Sequence, residues 1–384
     1  MKKRESFLSY GQQWITEEDI ESVVAVLKSP FLTQGPKIQE FEQKVADYVG
    51  TKYAVAFCNG TAALHGACFA AGIREGDEVI TSPITFAATA NAVLYCGGKP
   101  VFADIDERTY NIDPDEIRKH ITPNTKAIIP VDFAGQPADM DAIMEIAREH
   151  DLIVIEDGAH SLGAEYKGRK VGTLADMTMF SFHPVKPVTT AEGGVIVTNS
   201  EEYYEKLKRF RSHGIINQNL SKDEGPWYYE MVDLGYNYRM TDLQAALGIS
   251  QLNKLNNFIE RRREIAHLYN EALKTIDAVI LPYQLEGVRS GWHLYMLQLK
   301  LDKLKRSRKA IFDRLRAENI GVHVHYIPVY WHPYYQKLGY TRRMCSKAEQ
   351  FYEQALTLPI FPKMTNEDIN DVIKAVRRNL MIEK

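Results

Sequence analysis

Between about residues 50 and 200, short runs rich in β-branched and apolar residues alternate with segments of helical periodicity. That alternation is the signature of βαβ units and a mainly parallel sheet, and it leaves few other folds open. The predicted strands cover 53–57, 78–81, 100–103, 127–131, 152–156, 177–182 and 194–198, with helical patterns at 61–71, 139–150 and beyond Glu201. The fold class read from this stretch is an α/β large domain.

After Asp242 the pattern changes. Residues 243–251 continue into 253–273, a long helical stretch carrying Arg261, Arg262 and Arg263 that reads as a connector. Beyond Pro282 come a strand-like 293–301, a charged helix over 307–318, a second strand at 322–326 and a final helix from Asn366, which suits a smaller α+β domain. The expected division is 1–250 for the large domain with its N-terminal arm, and 251–384 for the connecting helix and small domain; the arm is also able to join the smaller unit. A chain of 384 residues, 45% apolar and 25% charged, can bury cores of that size.

Charge and cysteine usage narrow the function classes. With 47 basic against 50 acidic residues the formal charge is −3, so no global positive field draws the chain to nucleic acid or an anionic membrane. Cys58, Cys68, Cys96 and Cys345 lie far apart without zinc-type spacing and read as buried thiols of a reduced compartment. The start at Met1, Lys2, Lys3 and Arg4 is basic but lacks an apolar run, and no later stretch could span a bilayer, so a cytoplasmic location is expected. Lys303, Lys305, Arg306, Arg308 and Lys309 flank Leu304 and Ile311 at helical spacing and read as a solvated helix face rather than a phosphate patch.

Three motifs carry chemistry. Cys58-Asn59-Gly60-Thr61-Ala62-Ala63-Leu64 falls where a strand ends and a helix begins, where free N–H groups and the helix dipole favour an anion. A plain glycine turn with a threonine cap fits the same residues. It is neither a Walker loop nor a G-x-G-x-x-G fingerprint, which counts against NTP hydrolysis and NAD chemistry. Ile155-Glu156-Asp157-Gly158-Ala159-His160 puts a carboxylate pair at the end of an apolar strand, where open α/β sheets bind ligands. Asp157 is then either the partner of a buried cation such as a protonated pyridine, or a helix N-cap. Ser181-Phe182-His183-Pro184-Val185-Lys186-Pro187, followed by Glu192-Gly193-Gly194, holds one lysine in a turn bounded by prolines. Lysine makes Schiff bases, and desolvation makes it nucleophilic, although a lone lysine in a turn is usually a surface residue.

A phosphate cradle, a strand-end aspartate and a later lysine follow the chain order of fold-type I pyridoxal-phosphate (PLP) enzymes. Together with Leu32-Thr33-Gln34-Gly35-Pro36, Thr85-Phe86 and Gly235-Tyr236-Asn237-Tyr238-Arg239-Met240, they make the whole chain resemble the sugar aminotransferases of antibiotic, O-antigen and perosamine biosynthesis. The resemblance implies a large domain with a mainly parallel sheet flanked by helices, and PLP as cofactor. Lys186 would form the internal aldimine, Asp157 would pair with the pyridinium, and Phe86, otherwise a core aromatic, would stack on the ring. Gly60, Thr61 and Ser181 would bind the phosphate, and Asn237 would reach the other subunit's site in a homodimer with shared active sites.

Within that family the run Pro187-Val188-Thr189-Thr190-Ala191-Glu192, with Trp292-His293-Leu294-Tyr295 and Val322-His323-Val324-His325-Tyr326-Ile327-Pro328, is similar to the pseudaminic acid subgroup. That subgroup moves the amino group of L-glutamate to C4 of a UDP-linked 4-keto-6-deoxy-N-acetyl sugar. By this likeness Tyr10, Phe31, Leu32, Thr33, His323, Val324, His325 and Tyr326 would contact the nucleotide-sugar, along with Gly60, Ser181 and Asn237. His323 and His325 share one face of a strand and could instead ligate a metal, but no third ligand is evident and no metal is expected. Arg239 is the candidate for the donor carboxylate, with a structural ion pair as the alternative. A PLP-dependent sugar dehydratase would carry histidine in place of Lys186, and a ligand-sensing regulator would show a damaged constellation or an added DNA-binding domain.

Overall fold

In the computed structural model, which describes residues 4–216 and 225–380, seven strands form the central sheet. Met1, Lys2 and Lys3 of the basic start lie outside the described residues. In chain order the strands are β1 (Tyr53–Phe57), β2 (Glu78–Thr81), β3 (Lys99–Phe102), β4 (Thr125–Ile129), β5 (Ile153–Asp157), β6 (Met177–Ser181) and β7 (Gly194–Thr198). Their order across the sheet is β1-β7-β6-β5-β4-β2-β3. β7 runs antiparallel to both β1 and β6, and the pairs from β6 to β3 are parallel. Predicted bounds at 53–57, 78–81 and 194–198 coincide with these strands, and the other four shift by one or two residues.

Most strands carry consecutive apolar residues, such as Ile153 to Ile155 and Val195 to Val197, because both faces are covered. Alternate residues go to opposite layers: Ile128, Val154 and Val197 pack with Phe41, Val45 and Ile143 on one face. Ile129, Ile155 and Ile196 pack with Leu64, Ala67 and Phe210 on the other. The first layer is supplied by helices Pro36–Val49 and Met140–His150, the second by Gly60–Ala70, Ala88–Tyr95 and Glu201–Arg211.

The connector is two helices, Asp242–Leu252 and Leu255–Leu273, interrupted at Asn253 and Lys254. Leu255, Phe258 and Ile259 belong to the core of the large sheet. Ile265, Ala266, Tyr269 and Leu273, further along the same helix, belong to a second core with Leu297, Leu315, Leu356 and Val372. That second unit holds an antiparallel sheet of Val279–Ile280, Tyr295–Leu299 and Ala355–Leu358, with helices Arg308–Ala317 and Asn366–Leu380. The N-terminal arm packs here: Leu8 is in this core and pairs with Ile320, and Arg4 bridges Asp368 at 2.7 Å and Asp371 at 2.8 Å.

One predicted strand is absent. Residues 322–326 make a single bridge, His323 to Thr357, because the Val322 N–H is already spent on the Ile320 carbonyl at 3.0 Å. The alternating Val-His-Val-His pattern thus marks an extended segment lying on a sheet edge. The basic run at 303–309 is only partly a helix face: Arg308 and Lys309 open helix Arg308–Ala317, whose Ile311 is buried, while Lys303, Lys305 and Arg306 precede it; Lys303 pairs with Asp277 and Lys309 with Asp313. All four cysteines are free; Cys68 and Cys345 are buried, but Cys58 and Cys96 are only half-buried. Among the described residues no helix is long and apolar enough to cross a membrane.

Candidate active site

The carboxyl ends of β5 and β6 and the start of helix Gly60–Ala70 meet at one edge of the sheet. Asp157, the last residue of β5, is 4% exposed and accepts hydrogen bonds from Thr89 Oγ1 at 2.7 Å and from the Ala159 N–H at 3.1 Å. No helix follows it, so the N-cap alternative falls. Burial raises its carboxyl above the ordinary range, against the pull of Thr89, Ala159 and Lys186. Among the described residues it has no cation within 4 Å, which suits it to pair with a positive group brought in by a ligand. Thr89 is a site residue that sequence reading missed, because its bond to Asp157 spans 68 positions.

The cradle is built by close approach. Asn59, not Thr61, caps the helix, its side chain accepting from the Ala62 N–H at 2.8 Å. That leaves Gly60 and Thr61 at the open first turn, whose N–H groups have no intrahelical acceptor. A Cβ on Gly60 would come within 3.3 Å of Ser181 Cβ and Oγ. A Cβ on Gly194 would reach 2.5 Å from the Asn59 carbonyl oxygen. Two glycines thus let the backbone at Asn59, Gly60 and Gly194 draw close to Ser181 beside the open helix turn, where free N–H groups favour an anion.

Lys186 stands in the turn after β6, its N–H donating to the His183 carbonyl at 2.9 Å. Burial pulls its amine down to about 8, Asp157 pulls it back up, and Arg262 adds to the depression. The surface-lysine alternative does not fit that environment. Beside it lie imidazoles and phenols. His160 is 4% exposed, its ring centroid 4.4 Å from that of buried His293, and its Nε2 is 3.3 Å from the Tyr326 hydroxyl. Burial, with Lys186 contributing, holds His160, His293 and His325 well below the ordinary histidine range. They are therefore neutral imidazoles at physiological pH. His323 and His325 sit 4.5 Å apart, each 5.2 Å from Tyr10, and His325 Nδ1 is engaged by Thr357 Oγ1 at 2.8 Å. Val324 is half-buried between them. Phe86 is 64% exposed, which excludes the core-aromatic alternative, and its ring lies 6.4 Å from that of Tyr326.

One group of predicted residues is not brought to Lys186 within the chain. Phe31, Leu32 and Thr33 are exposed and tied to helix Asp242–Leu252: the Asp242 N–H donates to the Leu32 carbonyl, and Thr33 bridges Thr241. Asn237 is exposed and bridges Ser212. Arg239 is half-buried and lines a separate cavity with Lys208, Arg211 and Gln34. His293, which the sequence offers only within the Trp292-His293-Leu294-Tyr295 run, takes no site role in that reading, since only tertiary contact brings it 4.4 Å from His160.

A lysine amine buried near an acid that has no cation partner among the described residues, at the carboxyl ends of a mainly parallel sheet, is the arrangement of a fold-type I PLP-dependent enzyme. The chain belongs to the DegT/DnrJ/EryC1/StrS aminotransferase family, whose pattern matches residues 13–377. It is 45% identical to the spore coat polysaccharide biosynthesis protein SpsC of Bacillus subtilis, with 98% of each chain covered. It is 40% identical to the UDP-4-amino-4,6-dideoxy-N-acetyl-beta-L-altrosamine transaminase of Campylobacter jejuni, covering 94% of each. Among solved structures it is similar to Helicobacter pylori PseC, an aminotransferase involved in the biosynthesis of pseudoaminic acid. The TM-score is 0.92, the identity 34%, and the coverage 98% of this chain and 99% of that one.

Proposed function

We propose that the enzyme transfers the amino group of L-glutamate to C4 of a UDP-linked 4-keto-6-deoxy-N-acetylhexosamine, giving UDP-4-amino-4,6-dideoxy-N-acetyl-beta-L-altrosamine for pseudaminic acid. The observation that carries this reading is the wall of Tyr10, His323, His325 and Tyr326 beside Lys186, in a chain alignable over 94% of its length with a transaminase of that name. Aromatic and imidazole faces suit a sugar, and neither His323 nor Val324 is closed off.

In this reading Lys186 carries the cofactor, Asp157 pairs with its ring nitrogen, Phe86 covers the ring, and Gly60, Thr61 and Ser181 hold its phosphate. PLP supplies an electron sink for the carbon being deprotonated. Lys186 Nζ takes the proton from that carbon and delivers it on the same face, as base and then acid. Its amine, pulled to about 8, is suited to both roles near neutral pH. The sites are shared in a homodimer: Asn237 and the Phe31-Leu32-Thr33 segment, exposed in one protomer, serve the neighbouring site. Exposed Met231, Leu234 and Tyr236 beside Asn237 support an interface there. One alternative is a different nucleotide keto-sugar on the same chemistry, of the GDP-perosamine or dTDP-amino-sugar type; the 45% identity to SpsC, a spore coat polysaccharide biosynthesis protein, leaves it open. Incubating the pyridoxamine form with UDP-, GDP- and dTDP-keto-sugars decides between them. Preference for a GDP- or dTDP-sugar refutes the UDP assignment and leaves the aminotransferase intact.

A further inference from the structure

Two buried threonines stand behind Asp157. Thr85 and Thr89 are 3% and 1% exposed and Asp157 is 4% exposed, so burial excludes the water that would replace a missing partner. Thr89 Oγ1 lies 2.7 Å from Asp157 Oδ2, 2.7 Å from Thr85 Oγ1 and 3.2 Å from the Phe86 carbonyl oxygen. Thr89 sits in the first turn of helix Ala88–Tyr95 and Thr85 just ahead of it, with Phe86 and its exposed ring between them in sequence.

The supply of protons gives these contacts a direction. A threonine hydroxyl donates once, whereas an ionised carboxylate and a carbonyl only accept. The Thr89 proton therefore serves Asp157, the nearer and charged acceptor, and the contact with Thr85 is made by the Thr85 proton. The order runs from the Thr85 hydroxyl to the Thr89 hydroxyl to Asp157, each bond polarising the next. Backbone holds the rest of the aspartate. Its Oδ1 accepts from the Ala159 N–H at 3.1 Å, its N–H donates to the Pro130 carbonyl at 2.8 Å, and its carbonyl accepts from the Asp132 N–H at 3.1 Å. One hydroxyl and one N–H leave lone pairs on both carboxylate oxygens for an incoming donor. Lys186, Asp132 and Tyr326 act on the same carboxyl through space, Lys186 in favour of its charge and buried Asp132 against it.

We propose that Thr89, with Thr85 behind it, is the positioning residue of Asp157: a directed pair of buried hydroxyls that keeps the carboxylate ionised and in place for the positive ring nitrogen of the cofactor. This role rests on the reading of Asp157 as the partner of that nitrogen. Burial by itself drives a carboxyl toward its neutral form, which cannot balance a ring cation. The Thr89 bond opposes that drive, in agreement with the geometry.

The test follows the carboxyl itself in the full-length protein before cofactor is added. With the aspartate carboxyls isotopically labelled, the Asp157 signal in carbon NMR is the one that Asp157→Asn removes, and it is followed across a pH series. Thr89→Val keeps the shape of threonine without its hydroxyl and should move the titration up by about one pH unit, roughly a tenfold loss of carboxylate below the midpoint. Thr89→Ser, which restores the donor, should titrate near wild type, and Thr85→Val should move the same way by less. Affinity for PLP, followed by absorbance, should begin to fall about one pH unit higher in Thr89→Val than in wild type, because a neutral acid must lose its proton to pair with the ring. If Thr89→Val does not fold, Thr89→Ala takes its place. An unmoved titration in a folded variant without the Thr89 hydroxyl, or an equal shift with Thr89→Ser, overturns the proposal, and an unmoved titration in Thr85→Val overturns the part given to Thr85. Failure of the Asp157 pairing would appear separately, as Asp157→Asn protein that binds PLP as tightly as wild type.

Discussion

Gly60→Ala separates cofactor binding from folding at a single methyl group. The new Cβ meets Ser181 Cβ and Oγ at 3.3 Å and Met179 Sδ at 3.5 Å, contacts relieved by shifts of a few tenths of an ångström. Replacing a helical glycine with alanine stabilises by roughly 0.5–1 kcal/mol, which offsets the crowding. The variant should therefore melt within a few degrees of wild type. The methyl nevertheless projects between the open helix turn and Ser181, where the phosphate is expected. Losing one charge-assisted hydrogen bond costs about 1.5–3 kcal/mol, or roughly 10- to 150-fold in affinity. Titrating apo protein with PLP, followed by absorbance, reads that change directly, and calorimetry checks the melt. Unchanged PLP affinity in a well-folded Gly60→Ala protein would refute the cradle.

Gly194→Ala should behave differently, because its Cβ would strike the Asn59 backbone at 2.5 Å; a loss of about 1–3 kcal/mol in denaturant unfolding is expected, and wild-type stability would contradict it. Asp157→Asn keeps the shape that Thr89 and Ala159 hold but removes the buried charge. Transamination should fall about a hundredfold or more with little change in melting, and activity within threefold of wild type would count against the pyridinium pairing. Buried His65, pulled down to about 4 from 6.5, stays neutral in the fold while the unfolded chain takes up a proton. Its contribution is level above pH 6.5 and becomes increasingly destabilising as pH falls toward 4. His65→Gln should accordingly gain on wild type through that window in pH-dependent melts, and parallel curves would contradict the assignment.

The central sheet was legible because strands buried on both faces carry apolar runs through their centres, as Ile153 to Ile155 and Val195 to Val197 do. The segment 322–326 was misread because alternation reports which side chains face in, not whether the backbone finds a partner. Lys186, Asp157 and the Gly60 cradle were visible since each sits at a strand end with local turn chemistry. Thr89 and His293 were not: Thr89 lies 68 positions from Asp157, and only tertiary contact brings His293 4.4 Å from His160. Asn59 as the cap in place of Thr61 was equally hidden, both being good capping residues before an alanine-rich helix.

Borohydride reduction of the PLP-loaded protein, followed by peptide mass analysis, tests the central claim that Lys186 holds the cofactor. The account predicts one pyridoxyl adduct, on the peptide containing Lys186, and none in Lys186→Ala. An adduct on any other lysine, or none in fully loaded wild type, would contradict it.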